Sequence, residues 1–120
     1  MPHSNVDIEE QYHAGNTLYL RPTVRSSDNR VVDIRGASAV WVLYNDPAAP
    51  FESAAVEKTT ADGSIRLTDP QNGELEIEVE AGDTEGLGAP DGAVWYHRCD
   101  LTDDRGDRST IFHGKLPIYP

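Results

Sequence analysis

His97-Arg98-Cys99, with His113 on the following strand, has the residue types of a zinc cluster, because imidazole and thiolate are good zinc ligands. The spacing opposes that reading. Alternate residues of an extended strand share a face, so Trp95, His97, Cys99 and Leu101 fall together, and the flanking Trp95 and Leu101 mark that face as core. On the last strand Phe112, Gly114, Leu116 and Ile118 form the inward set, which sends His113 outward. His97 is therefore expected to be buried and hydrogen-bonded, and Cys99 to be packed and inert. The acidic stretch from Asp100 to Asp107 offers oxygens of the kind calcium requires. Its spacing departs from that of a calcium loop, and Arg105 stands where a ligand belongs. A tight hairpin with Gly106 at positive φ explains the stretch better. Arg105-Gly106-Asp107 also spells a cell-adhesion tripeptide, which three residues at a turn match readily by chance.

Covalent catalysis needs a nucleophile, a base and an orienting group within hydrogen-bond reach. The chain has no nucleophile elbow, no phosphate-cradling glycine loop and no zinc-protease helix. The reading is a non-enzyme with no catalytic residues, no cofactor and no metal. A different feature stands out, the row Val40, Val42 and Tyr44, which lies opposite the core-facing Ala37, Ala39, Trp41 and Leu43. Apolar side chains on a face that should be solvated mark either an interface or a face covered by a local loop. The row is thus the candidate interface, and the loop around Phe51 is the alternative cover.

The elements that would carry these residues are strands. Period-two alternation dominates and turn signals recur at short intervals, as in an all-β sandwich. The cleanest strand is Glu74 to Glu80, with Leu75, Ile77 and Val79 to the core and four glutamates to water. Thr17 to Val24 alternates likewise, and Pro22, which has no N–H to donate, assigns it to an edge or a bulge. Ser27 to Arg30 reads as a turn, and Val31 to Ile34 as a short return strand. Ala37 to Tyr44 is a strand, followed by a loop over Asn45 to Pro50. Phe51 to Thr60 is a peripheral strand, and Ser64 to Thr68 makes a hairpin with the glutamate strand. Asp83 to Leu87 reads as one helical turn that drops Leu87 into the end of the core. Ala93 to Thr102 and Arg108 to Ile118 are the closing pair, joined at Asp103 to Gly106. The expectation is one domain over residues 1–120, an immunoglobulin-like antiparallel β-sandwich of about eight strands. Residues 1–5 are its one loose arm.

Composition limits the partners. With 21 acidic and 10 basic residues the net charge is −11. Such a surface repels phosphate backbones, so nucleic acid is not expected as a partner. An acid-rich, lysine-poor chain is also what halophilic proteins look like, since dense carboxylates keep a surface hydrated in salt. No run approaches the length of a membrane span. The start, Met1 to Asp7, lacks a basic segment followed by an apolar one, so no secretory signal is visible. Cys99 is the only cysteine, which rules out an intramolecular disulfide and leaves stability to the core or to partners.

The order of motifs resembles that of small β-sandwich proteins of tailed viruses, including the collar protein to which side tail fibres attach and the N-terminal domains of upper baseplate proteins. The matching pieces begin with the Gly15-Asn16-Thr17-Leu18-Tyr19-Leu20 entry strand and the run Val32-Asp33-Ile34-Arg35-Gly36-Ala37 leading to Trp41 and Leu43. They continue with Asn72 to Ile77, Asp83 to Leu87, Asp103 to Gly106 and Gly114-Lys115-Leu116-Pro117-Ile118. The likeness runs from about Val6 to the end; its strength lies in the order of the pieces. It departs from the common pattern in placing His97 where an inward tyrosine is usual and in carrying Pro22. The resemblance implies a virion protein, assembled in the host cytoplasm, that binds copies of itself and other virion proteins in a tail or baseplate or as a capsid decoration. With the acid-rich surface, the implied host is a salt-loving archaeon. The alternative is an immunoglobulin-like carbohydrate- or protein-binding module of a cell-surface protein, with Tyr12, Tyr19, Tyr44, Trp95 and Tyr96 as a sugar platform.

Overall fold

A computed structural model describes residues 4–5, 12–90 and 92–120. Its strands are β1 (Ser4–Asn5), β2 (Tyr12–His13), β3 (Leu18–Leu20), β4 (Ser38–Tyr44), β5 (Ala54–Thr59), β6 (Ile65–Asp69), β7 (Glu74–Val79), β8 (Ala93–Thr102) and β9 (Arg108–Tyr119). They form two sheets. The larger has the order β1-β9-β8-β4-β5, with β2 also on β9, and the smaller has the order β3-β7-β6. This is the all-β sandwich that the alternation predicts. β1 and β2 pair with β9 in parallel, whereas the other ladders are antiparallel. Of the arm expected to be loose, Ser4 and Asn5 therefore lie on the edge of β9; residues 1–3 fall outside the described residues.

The core lies between the sheets. Trp41 and Leu43 from β4, Leu75, Ile77 and Val79 from β7, Cys99 and Leu101 from β8, and Phe112, Leu116 and Ile118 from β9 are buried there. Alternation fixes which residues enter it, because a slip of one residue would turn each strand's apolar set to water. β6 and β7 form the expected hairpin, joined by a single 3-10 turn at Pro70–Asn72 and by Gly73 at φ 73°. A Cβ at Gly73 would stand 2.8 Å from the carbonyl oxygens of both Val24 and Val32, so the glycine is required by space as well as by backbone angle.

Three expectations shift. The first long strand stops at Leu20, just before Pro22, and resumes as a single bridge between Thr23 and Glu74. Residues 31–34 do not form a strand: Val32 N–H donates to Val24, Ile34 N–H donates to the Pro70 carbonyl, and Arg25 bridges Val31. The segment is a loop laid on the end of the small sheet, held by buried Val24 and Ile34. The helical turn is also one step out of place. α1 spans Ala81–Thr84 with Glu80 as its N-cap, and Asp83, expected to be the cap, instead closes a reciprocal capping box by accepting the Glu80 N–H at 2.7 Å.

α1 joins the two sheets at one end. Its Asp83 carboxylate pairs with Lys58 at 2.6 Å, and Lys58 comes from edge strand β5 with its side chain only 10% exposed. The neighbouring Thr84 hydroxyl accepts the Gly15 N–H and shares a hydrogen bond with the Tyr12 hydroxyl at 2.7 Å, while Tyr12 donates to the Asn16 carbonyl. Burial raises the Tyr12 pKa, with the Thr84 hydrogen bond opposing it. Leu87 packs partly buried against the core, and its carbonyl accepts the Trp95 indole N–H. Among the described residues no helix is long and apolar enough to cross a membrane.

Candidate interaction face

The residues first singled out for chemistry separate in space. His97 is fully buried, and its Nδ1 accepts the Trp41 indole N–H at 3.2 Å. A neutral imidazole with Nδ1 as acceptor carries its proton on Nε2. Cys99 is fully buried beside it, and burial followed by the nearby Asp100 charge drives its thiol well above the usual range. His113 pairs across the ladder with Arg98, on the opposite face of the sheet from His97. Among the described residues no three His, Cys, Asp or Glu side chains are placed to hold a metal ion. The acidic turn is instead closed on itself. Asp103 Oδ1 accepts the N–H groups of Arg105 and Asp107 at 2.9 Å, and Gly106 has φ 90°.

The row Val40, Val42 and Tyr44 is not an open face. Val42 is completely buried, Tyr44 is 7% exposed and Val40 is half-buried, all within this one chain. Val42 and Tyr44 are thus covered within this chain, and Val40 is the part-exposed member of the row. The sheet ladder shows what surrounds them. Val40, Val42 and Tyr44 lie opposite Asp100, Arg98 and Tyr96 of β8, and Tyr44 stacks on Tyr96 with ring centroids 5.9 Å apart. Phe51 of the loop that follows β4 sits under two guanidinium groups, at 5.1 Å from Arg98 and 4.9 Å from Arg108. Cation–π attraction of this kind holds an aromatic ring to a charged sheet face.

Both arginines converge on one carboxylate. Asp100 is 2% exposed; its oxygens accept from Arg98 Nε at 2.8 Å, Arg98 Nη2 at 3.1 Å, Arg108 Nε at 2.9 Å and the Thr110 hydroxyl at 2.8 Å. Burial alone would raise the Asp100 pKa, but the hydrogen bonds from Arg98, Thr110 and Arg108 outweigh it and hold the carboxyl below its ordinary value. The Arg98 guanidinium is in turn stabilised in its charged form, chiefly by its bond to Asp100. A bulge makes the network possible. Cys99 pairs with Phe112 and Asp100 with Thr110, so Ile111 is the extra residue on β9. The bulge turns both Ile111 and Phe112 into the core and brings Thr110 beside Asp100.

Beyond this network the outer face of β8 and β9 carries Val94, Tyr96, His113, Lys115 and Pro117, with Val94 54% exposed. A depression of about 340 Å³ opens between it and the loop, lined by Tyr44, Pro47, Pro50, Arg98, Thr110 and His113. A second hollow, of about 280 Å³, lies at the other end of the sandwich between Ile34, Leu101 and the acidic turn. Two of its three acids are paired, Asp33 with a forked Arg35 and Asp103 with Arg105, and Asp104 adds a third carboxylate. The five aromatics of a possible sugar platform do not gather: Tyr12 is buried, Trp95 packs against the core and Tyr19 stands on the small sheet, leaving Tyr44 and Tyr96 together.

Sequence reasoning placed His97, Cys99 and His113 correctly but missed Arg98, Asp100, Arg108, Thr110 and Phe51. The signal was present in Arg98 and Asp100, two opposite charges that share one strand face. No protein-family model matches the chain, and no curated protein matches it.

Proposed function

We propose that this chain is a structural protein of a tailed-virus particle, part of a tail or baseplate or a capsid decoration, that works by adhering through a sheet face and its loops. The observation that carries the reading is the outer face of β8 and β9. It combines exposed Val94 and half-buried Tyr96 and Pro117 with Arg98, Arg108 and Lys115, on a chain whose net charge is −11. Such a mixture of aromatic, aliphatic and arginine side chains is typical of contact surfaces. The order of sequence motifs supports the viral setting, and the acid excess supports a halophilic host. Among the described residues these side chains form no constellation of nucleophile, base and orienting group: the buried Asp100 carboxylate is consumed by its two arginines and Thr110. We therefore read the protein as non-catalytic.

Peptide mapping of purified particles tests this directly. The proposal expects the chain there in fixed copy number relative to the other tail or head proteins, and its absence from particles would overturn the proposal. As a protein-binding module of a cell-surface protein, the same face would do the binding; recovery of the chain from the cell envelope would favour that alternative.

A further inference from the structure

The edge of a sheet presents unpaired N–H and C=O groups and so attracts another strand. In the larger sheet the β9 edge is occupied by β1 and β2, and the smaller sheet ends on β3 and β6. β3 is three residues long and runs into Pro22, and β6 carries a register shift between Arg66 and Asp69, so neither offers a long regular edge. That leaves β5, six residues long, and among the described residues no strand lies on its far side. Its backbone offers few open groups. Leu43 pairs with Val56 and Tyr44 with Ala54, so Ala55 is an extra, bulged residue. The Thr60 N–H bonds to the Ala39 carbonyl, which sets the phase of the ladder: Lys58 directs its backbone groups to Trp41, whereas Glu57 and Thr59 turn theirs outward. The Thr59 N–H then bonds to Asp62 Oδ2 at 3.3 Å, and Glu57 holds the open donor in the middle of the edge.

Beside that open donor stands a charge turned inward. Lys58 lies opposite Trp41 in the ladder and shares its core-facing side, because directly paired residues point the same way. Its side chain is 10% exposed and meets the Asp83 carboxylate of α1 at 2.6 Å; Asp83 is 24% exposed and also accepts the Glu80 N–H. We infer that the Lys58–Asp83 pair closes the β5 edge to strand addition, so that a second copy of this chain cannot extend the sheet and contacts are confined to faces and loops. A strand hydrogen-bonded to β5 would lie about 4.8 Å away. There it would exclude the water that still reaches the ion pair, and full desolvation of such a pair costs more than its attraction returns. An inward charge on an outer strand is one of the ways sheet proteins block edge-to-edge association. The inference goes beyond the particle reading and does not depend on it, since it states which contact is forbidden whatever the protein binds.

Residue-resolved hydrogen exchange over a protein concentration series tests the inference. In the wild-type protein the Glu57 amide should exchange at a rate independent of concentration. Lys58→Met keeps an unbranched apolar stem and removes the charge, while Asp83 retains its bond to Glu80 and its access to water. In that variant Glu57 exchange should slow by about tenfold or more as concentration rises and strands pair at the edge. Lys58→Arg keeps the charge and should behave as wild type. Adding Glu57→Pro to Lys58→Met removes the outward donor and should abolish the association in sedimentation velocity. Gly73→Ala, which strains the chain away from β5, should show no concentration dependence and so separates edge opening from partial unfolding. A wild-type Glu57 amide that gains protection with concentration would overturn the inference even if Lys58→Met failed to fold. So would a folded Lys58→Met whose Glu57 amide stays unprotected, association in Lys58→Arg, or association that survives Glu57→Pro. Recovery of the chain from particles, or its absence, bears on the particle reading alone.

Discussion

Replacing Asp100 with alanine should destabilise the protein far more than a surface substitution, because it strands two guanidiniums around a vacated centre. Asp100 is 2% exposed and accepts from Arg98, Arg108 and Thr110. Removing one partner of a fully buried ion pair costs about 3–5 kcal/mol. The two arginine side chains here remain 33% and 53% exposed, so water solvates them once the carboxylate is gone. We expect a loss of about 2–3 kcal/mol, which lowers the melting temperature of a domain of this size by roughly 10 °C. The pH dependence has a fixed sign. The folded carboxyl titrates below its unfolded value of about 3.9, so its stabilisation is complete above that pH and is lost as pH falls through the folded value. Urea unfolding of wild type and Asp100→Ala should differ by the full amount near neutrality, and the gap should narrow progressively as pH falls below about 4 through the folded value. A loss under about 0.5 kcal/mol, the size of an ordinary surface substitution, would refute the reasoning, and so would a gap that stays constant into acid.

Other substitutions read other parts of the structure. Val42→Glu should cost at least about 4 kcal/mol or prevent folding, since it places an unpaired carboxylate at a fully buried position; near-wild-type denaturation would mean that this position is open to water. Gly73→Ala should cost about 2 kcal/mol or more, from the left-handed backbone and the approach to the Val24 and Val32 carbonyl oxygens, as measured by chemical denaturation. Cys99 should react with a thiol reagent only as fast as the protein opens, because its thiol is buried and held neutral; labelling at a rate independent of denaturant would contradict its position in the core.

Much of the fold could be read from the chain because each strand carries its own instruction. Leu75, Ile77 and Val79 alternate with glutamates, and only one orientation buries the first set. Trp95, His97, Cys99 and Leu101 share a face by the same rule, which sets His97 and Cys99 in the core. What the pattern could not show depends on contacts distant in sequence. Val42 and Tyr44 look exposed when the strand is read alone, and their burial becomes evident only when β5 and β8 are assembled on either side of it. The pairing of Thr110 with Asp100 depends on the Ile111 bulge, which changes register midway along a strand whose alternation is otherwise regular. Val31 to Ile34 has strand-forming residues, yet its hydrogen bonds go to the turn around Pro70 and to Val24, where a loop serves better than a ladder.

Quantitative peptide mapping of purified particles tests the particle reading most directly. A fixed copy number beside the other tail or head proteins is the predicted result, and absence of the chain from particles would contradict the account.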